Sequence, residues 1–545
     1  MKRNLLLLSL LLVLGVPARA ESACDIIPAP KAYRAMPGEF RLKGCAVEAD
    51  PAFRETSEDL SARLAAVTGQ KAAKPSGIRL VRVQGLPEEA YRLEVTQQQV
   101  TIEATDPAGA FYGVQSFLQL LPAQVYGDKR AKGVRWTAAC CSVEDHPRFP
   151  YRGMHLDVGR YFMPKETVMK FIDLMAMHKQ NMFHWHLTED QGWRIEIRKY
   201  PRLTKVGAWR PFTADYEGEN PDGTPHGGFY TQDDVREIVE YARRRFVTVI
   251  PEIELPGHAS AAIAAYPELS CNPAAPHAVA TSWGVKTDVF CPNAFTFQFL
   301  EDVFTELFDL FPSPYYHIGG DECPKDAWME STYCKDLMKV LGITDFHELQ
   351  TFFVRRMDSF LRAHGKTVIG WDEILDGSAV PSTVVMSYRG HAPAAKAIRR
   401  GMKTILVPNR WTYLDYYQMD PALEPKAQSL YLPIDKVYNY FPAVDSLRTL
   451  SDEYIIGYEC CVWGEYAQTP GRVEYLAFPR AVAAAEVAWC DRGEKDWDSF
   501  YRRMRKEFGR LDAKGVRYNR ALHDEMFNGA TAYREIPGQL QWKEQ

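Results

Sequence analysis

The sequence predicts an α/β protein: a (β/α)8 TIM barrel catalytic domain preceded by a small α+β domain. Two observations carry that prediction. From Tyr151 onward, short apolar runs alternate with amphipathic stretches of helical period, as strands of a parallel sheet and their crossover helices do. Eight such strands fall near 152–158, 181–187, 247–253, 315–319, 366–371, 383–387, 403–407 and 455–463, a number and span that suit a closed barrel. Helices are expected between them at 164–178, 232–245, 295–310, 345–364 and 472–489, the last kinked at Pro479. A tail from about 493, with Phe500, Met504 and Phe508 at helical spacing, reads as a closing helix.

Ahead of the barrel, Tyr91–Val95 and Val100–Glu103 alternate apolar and polar residues like half-buried strands. Asp106-Pro107 then opens a helix that Pro122 stops. The stretch 144–150 marks a seam, giving a supporting domain over 21–146 and a barrel over 147–545. No acid/base constellation precedes that seam.

Bulk properties narrow the function. The chain has 545 residues and a net charge of −5 with scattered Lys and Arg, so it carries no nucleic-acid footprint. Aromatic residues make up 12% and include 12 Trp, many beside carboxylates, which suits sugar binding. Lys2 and Arg3 precede an apolar run from Leu5 to Val16, and Ala18-Arg19-Ala20 offers a cleavage site. Residues 1–20 therefore read as a signal peptide directing export to the periplasm or beyond. No second apolar run of membrane length follows. Cys24, just past the cut, offers a lipid acceptor, but Glu21-Ser22-Ala23 lacks the apolar residue that begins a lipobox, so anchoring there is the lesser alternative. Among the eleven cysteines, Cys271–Cys291 and Cys323–Cys334 are expected as loop staples. None has zinc-finger spacing, and neither a metal nor a cofactor is expected.

The chemistry is positional. Active sites of such barrels gather at the C-terminal ends of the strands. Those ends carry Asp157 and Arg160, then His186, Glu189 and Asp190, then Glu252, Glu254 and His258. Asp321 and Glu322 follow, with Trp371, Asp372 and Glu373, Tyr388 and Arg389, Tyr413 and Asp415, and Trp463 and Glu465. In His317-Ile318-Gly319-Gly320-Asp321-Glu322 two glycines let the backbone bend before two adjacent carboxylates. Crowding like charges raises one of their pKa values and keeps a general acid protonated.

These segments resemble glycoside hydrolase family 20, the β-N-acetylhexosaminidases. The matching stretches, in family order, are Arg152–Arg160, His184–Trp193, Pro251–His258, His317–Glu322, Gly370–Glu373, Tyr413–Tyr417 and Trp463–Glu465. The resemblance implies exo-acting, substrate-assisted, retaining hydrolysis of terminal N-acetylhexosamine residues, with a carbohydrate as the partner. It implies Glu322 as acid and then base, and Asp321 as the carboxylate that orients the acetamido group. Tyr413 is implied to donate to the acetamido carbonyl, with Trp371, Tyr388 and Trp463 as aromatic walls. Arg152, Asp415 and Glu465 are implied to hold sugar hydroxyls, and Glu189 and His258 to tune the acid. The chain departs from the family at Glu189, often Asp, and at Tyr388, often Trp. Two rival readings are weaker. His184 and His186, with His258 and His317, offer a zinc set, but histidines beside Trp185 are more often packed than metal-bound. A catalytically silent sugar-binding barrel would be expected to lose the acid, which Glu322 supplies.

Overall fold

A computed structural model describes residues 24–71, 74–440, 447 and 452–529. The expected signal peptide lies outside them. The barrel forms as expected: eight strands, Tyr151–Asp157, Met182–His186, Thr248–Glu252, Tyr315–His317, Thr367–Trp371, Val384–Ser387, Thr404–Leu406 and Ile455–Val462, close in sequence order with every neighbour parallel. The first and eighth strands pair from Tyr151 opposite Gly457 to Leu156 opposite Val462, which seals the cylinder. The first strand is buried at every position, as a strand covered on both faces must be.

The N-terminal unit is a six-stranded sheet with two helices, Arg54–Thr68 and Pro107–Leu120. The strands Tyr91–Val95 and Val100–Ala104 pair antiparallel in register, Tyr91 opposite Ala104. Asp106 caps the second helix by accepting the Gly109 N–H at 2.9 Å, and Pro107 sits where a missing N–H costs nothing. Four strands, Ala32–Arg41, Ala46–Ala49, Pro75–Arg82 and Thr137–Asp145, complete the sheet. Their mixed patterns, with partly exposed faces, give a weaker signal than clean alternation.

The two units meet along a seam of buried charges. Arg152 stands near the start of the first barrel strand and donates to Glu89 at 2.8 and 3.0 Å, to the Tyr112 hydroxyl at 2.9 Å, and to the carbonyls of Phe149 and Lys179. Lys179 donates to Asp145 and to the Tyr91 hydroxyl at 2.9 and 2.8 Å. Arg503 pairs with Glu486, and Glu507 takes both Arg510 and His178. The expected 472–489 helix is broken at Pro479 into Pro470–Ala477 and Arg480–Trp489, and the closing helix runs Trp497–Ala513.

The cysteine pairing differs from expectation. Cys334 lies 3.7 Å from Cys271, with Cys291 in the same cluster, whereas Cys323 turns toward the Pro324 carbonyl. Helix Thr332–Leu341 carries Cys334 back against the 270–291 loop, while Cys323 stays behind the acid it follows. No cysteine among the described residues is in a disulfide.

Candidate active site

The first strand ends at Asp157, which organises the barrel mouth. Its carboxylate accepts the N–H groups of Gly159 at 2.8 Å, Arg160 at 3.1 Å and, from the eighth strand's end, Gly464 at 2.8 Å. A Cβ on Gly464 would sit 2.6 Å from the Asp157 carboxylate, so only glycine permits this approach. Burial pushes the Asp157 carboxyl up, but Arg160 at 2.9 Å and His186 override that and hold it well below the carboxylate range. Arg160 then faces Glu189 and Glu465, each at 3.5 Å, and lies over the Trp463 ring at 5.2 Å.

The acid loop follows the short fourth strand. Gly319 and Gly320 take φ of +66° and +96°, and a Cβ on Gly319 would overlap the Glu254 carboxylate at 1.6 Å. The bend swings Asp321 inward, 9% exposed, and leaves the Glu322 side chain outward, 45% exposed. Glu322 itself has φ +44°, a conformation that costs a non-glycine residue about 1–3 kcal/mol and needs external support. Two contacts brace the bend: the Glu322 N–H donates to Glu373 at 3.1 Å, and Gln350 donates to the Gly320 carbonyl at 2.7 Å.

A relay of carboxylates and one imidazole sets the proton affinities. His258 Nδ1 meets Glu189 at 2.7 Å, while Nε2 lies 3.6 Å from Glu322 and 3.7 Å from Asp321. Burial disfavours a charged His258, yet Glu189 and Asp190 raise it well above the usual histidine value. Glu189 is pushed up by burial but drawn down to about 2 by Arg160 and His258. Beneath them, burial and then Glu252 lift Glu254 to about 8. Burial and Glu254 also raise Asp321 well above its ordinary value. Glu322 is raised too, by desolvation first and then Glu373, against the pull of His258 and Arg160. The mouth therefore holds an acid of raised proton affinity beside a second, more deeply buried carboxyl.

Aromatic rings wall the space beside this pair. Trp371 and Trp463 stand 5.8 Å apart, Tyr413 lies 5.6 Å from Trp463, and Tyr388 stacks parallel to Tyr413 at 6.4 Å. Trp371 is fixed by its indole N–H donating to Glu252 at 2.9 Å. On the far side sit Asp415, raised to about 8 by burial and then Glu465, and Glu465, which accepts from Tyr216 at 3.1 Å. Several of these polar atoms have no hydrogen-bond partner in the protein: Asp321 Oδ1, Asp415 Oδ1, Glu465 Oε2 and the Trp463 indole nitrogen. Buried polar atoms left so are costly unless a ligand completes them.

A family model described as the glycosyl hydrolase family 20 catalytic domain matches residues 149–492, and that family's domain 2 matches 23–146. The chain belongs to glycosyl hydrolase family 20. A β-hexosaminidase of Porphyromonas gingivalis is 46% identical over 444 residues, covering 81% of this chain and 56% of the relative, so the chain spans little more than half that relative's length. Among solved structures, the Streptomyces plicatus N-acetyl-β-hexosaminidase bound to thio-NAglucal superposes with a TM-score of 0.81 at 32% identity, covering 92% of this chain and 98% of that one. The Vibrio harveyi family 20 exo-β-N-acetylglucosaminidase bound to N-acetylglucosamine gives 0.79 at 32% identity, covering 92% of this chain and 79% of that one.

Ten of the eleven residues that the family 20 resemblance points to converge here: Glu189, His258, Asp321, Glu322, Trp371, Tyr388, Tyr413, Asp415, Trp463 and Glu465. Arg152 does not. It lies at the opposite end of its strand, in the seam with the N-terminal unit, because the strand runs seven residues, from Tyr151 to Asp157, and active sites gather at the other end. The guanidinium in the pocket is that of Arg160, just past the strand's C-terminal end. Glu373 and Glu254 also went unassigned, although both stand at strand ends. Tyr216 comes from a long connection, and only the folded loop brings it against Glu465. At Tyr388, the smaller ring leaves a hydroxyl that donates to Glu373 at 2.5 Å. The longer Glu189, for its part, reaches His258 directly.

Proposed function

We propose that this chain is an exo-acting, retaining β-N-acetylhexosaminidase that hydrolyses terminal N-acetylhexosamine from β-linked glycans through an oxazolinium intermediate formed by the substrate itself. One observation carries the reading. A buried carboxyl with an unpartnered oxygen, Asp321, adjoins a half-exposed carboxyl whose proton affinity is raised, Glu322, under an aromatic wall. An acetamido group seated against Trp371 and Tyr413 would present its N–H to Asp321 Oδ1. As its carbonyl oxygen attacks the anomeric carbon, positive charge grows on the nitrogen and the Asp321 carboxylate stabilises it, an interaction strongest in the transition state. Glu322 gives its proton to the leaving oxygen and then takes one from water, with His258 and Glu189 setting its basicity. Arg160, Asp415 and Glu465 are the groups that would meet the ring hydroxyls. The names of the relatives, and the N-acetylglucosamine bound to the Vibrio harveyi protein, support the sugar class.

Turnover of an aryl β-N-acetylglucosaminide tests this. Glu322→Gln should lower kcat by about 100- to 10,000-fold. Replacing the substrate acetamide with trifluoroacetamide weakens the nucleophilic carbonyl and should slow the parent protein severely. A rate indifferent to that change, or a glycosyl group trapped on a side chain, would refute the substrate-assisted route. We also propose that residues 1–20 direct export, to be checked by fractionating cells that express the full chain.

A further inference from the structure

Outside the barrel mouth, three cysteines from three separate segments turn their sulfurs to one point. Cys271 follows the bridge between Ser270 and Phe290, Cys291 closes the same loop, and Cys334 lies in the first turn of helix Thr332–Leu341. The three sulfurs lie within 4.8 Å of one another, and Cys271 and Cys334 are 3.7 Å apart. The loop ends carrying Cys271 and Cys291 are tied to each other, and the helix carrying Cys334 is held separately. Cys291 donates its N–H to the Leu269 carbonyl at 2.7 Å, the Trp328 indole donates to the Phe290 carbonyl at 3.0 Å, and Ser331 caps Cys334 at 3.2 Å. Cys334 and Cys291 are buried, and Cys271 leaves one side accessible.

We propose that Cys271, Cys291 and Cys334 form a binding site for one thiophilic closed-shell cation of the zinc(II) type, with a fourth position open on the Cys271 side. Two arguments favour a metal over a crosslink. A disulfide joins only two of the three sulfurs and leaves the third without a partner beside it. Thiolates sharing a tetrahedral ion with metal–sulfur bonds of about 2.3 Å stand roughly 3.8 Å from each other, close to the 3.7 Å between Cys271 and Cys334. Binding replaces thiol protons with the ion and releases them to solvent, so affinity falls as pH drops. The ion would tie the 270–291 loop to the helix that follows the acid. That loop lines the site's flank, since Ala280 donates to the Asp190 carbonyl and Gln191 donates to the Ser282 carbonyl. The ion's role is structural and stands apart from the hydrolase reading.

The full chain, purified without reductant and dialysed against zinc, is assayed for bound metal and for thiols after non-reducing denaturation in chelator. The expected result is one zinc per chain, all eleven thiols reactive, and a melting temperature that drops on chelation. Cys271→Ser and Cys334→Ser should each lose the bound zinc and the chelator-sensitive shift, while Cys45→Ser retains both. Cobalt(II) exchanged into the unaltered chain should give a thiolate-to-metal charge-transfer band, a readout that needs no variant to fold. Nine reactive thiols in place of eleven, or eleven thiols with no metal retained, would overturn the proposal.

Discussion

The barrel buries charge at both ends, and the two ends treat it oppositely. At the seam with the N-terminal unit, Arg152, Lys179, Arg503 and Arg510 are each matched to a carboxylate and further acceptors. At the mouth, Arg160, Glu189, Asp321, Asp415 and Glu465 are also buried, though Arg160, Asp321 and Glu465 less completely, and several of their atoms lack hydrogen-bond partners in the protein. The same residue types therefore serve two ends. Complete pairing makes buried charge tolerable and specifies how the domains dock, while incomplete pairing stores a demand that a polyhydroxylated ligand can meet.

That contrast is sharpest in the two arginines of one strand region. Arg152→Met strands the Glu89 carboxylate and should destabilise the fold by about 3–5 kcal/mol in denaturant unfolding, with kcat of the folded fraction near that of the parent. Arg160→Met also strands a buried partner, Asp157, so stability should fall too. It removes in addition charge-assisted bonds worth about 1.5–3 kcal/mol to the substrate, so kcat/KM of the folded fraction should fall roughly 10- to 100-fold. An equal loss of kcat/KM for both variants would break the comparison.

Asp321→Asn keeps the shape but removes the charge that answers the developing cation. Its kcat should drop about 100- to 1,000-fold while stability is unchanged or increases, because the carboxyl's burial is unfavourable in the empty pocket. Steady-state kinetics and thermal melts on one preparation check both halves.

The seam also predicts a pH dependence. Burial pushes Glu507 up, but His178 and Arg510 bring it down to about 2, below its ordinary 4.5. A carboxylate depressed by folding stabilises the protein above its ordinary value, and that contribution fades as pH falls from about 5 toward 2. Glu507→Gln should be less stable at neutral pH by on the order of 2–3 kcal/mol and show a shallower acid limb. Unfolding curves at several pH values will show whether the limb flattens.

The smallest effect is expected at Tyr388. Tyr388→Phe loses the hydrogen bond to Glu373, which braces the Glu322 backbone, so a change of about fivefold in kcat is expected, with the aromatic wall and KM retained. A change confined to KM would mean the hydroxyl meets substrate instead.

Much of this was legible in the chain itself. Alternation of apolar strands with amphipathic helices is a local pattern, so the eight strands emerged near their observed bounds. The rule that barrel sites gather at strand C-termini then located Asp321, Glu322, Trp371 and Glu465, because their positions follow directly from where each strand stops. The sequence also supplied the glycines at 319 and 320, whose positive φ lets the acid loop fold over Glu254.

What only tertiary structure decided was which partner each side chain meets. Arg152 stands near the start of a strand and Arg160 just past its end, so the barrel rule separates them, but nothing local says that the first meets Glu89 and Tyr112 in a seam. Cys334 pairs in space with Cys271 because a helix turns it back, not because of its distance along the chain from Cys323. The reason is physical: periodicity and strand ends are set by neighbours a few residues apart, whereas ion pairs and sulfur clusters depend on segments brought together from tens to hundreds of residues away.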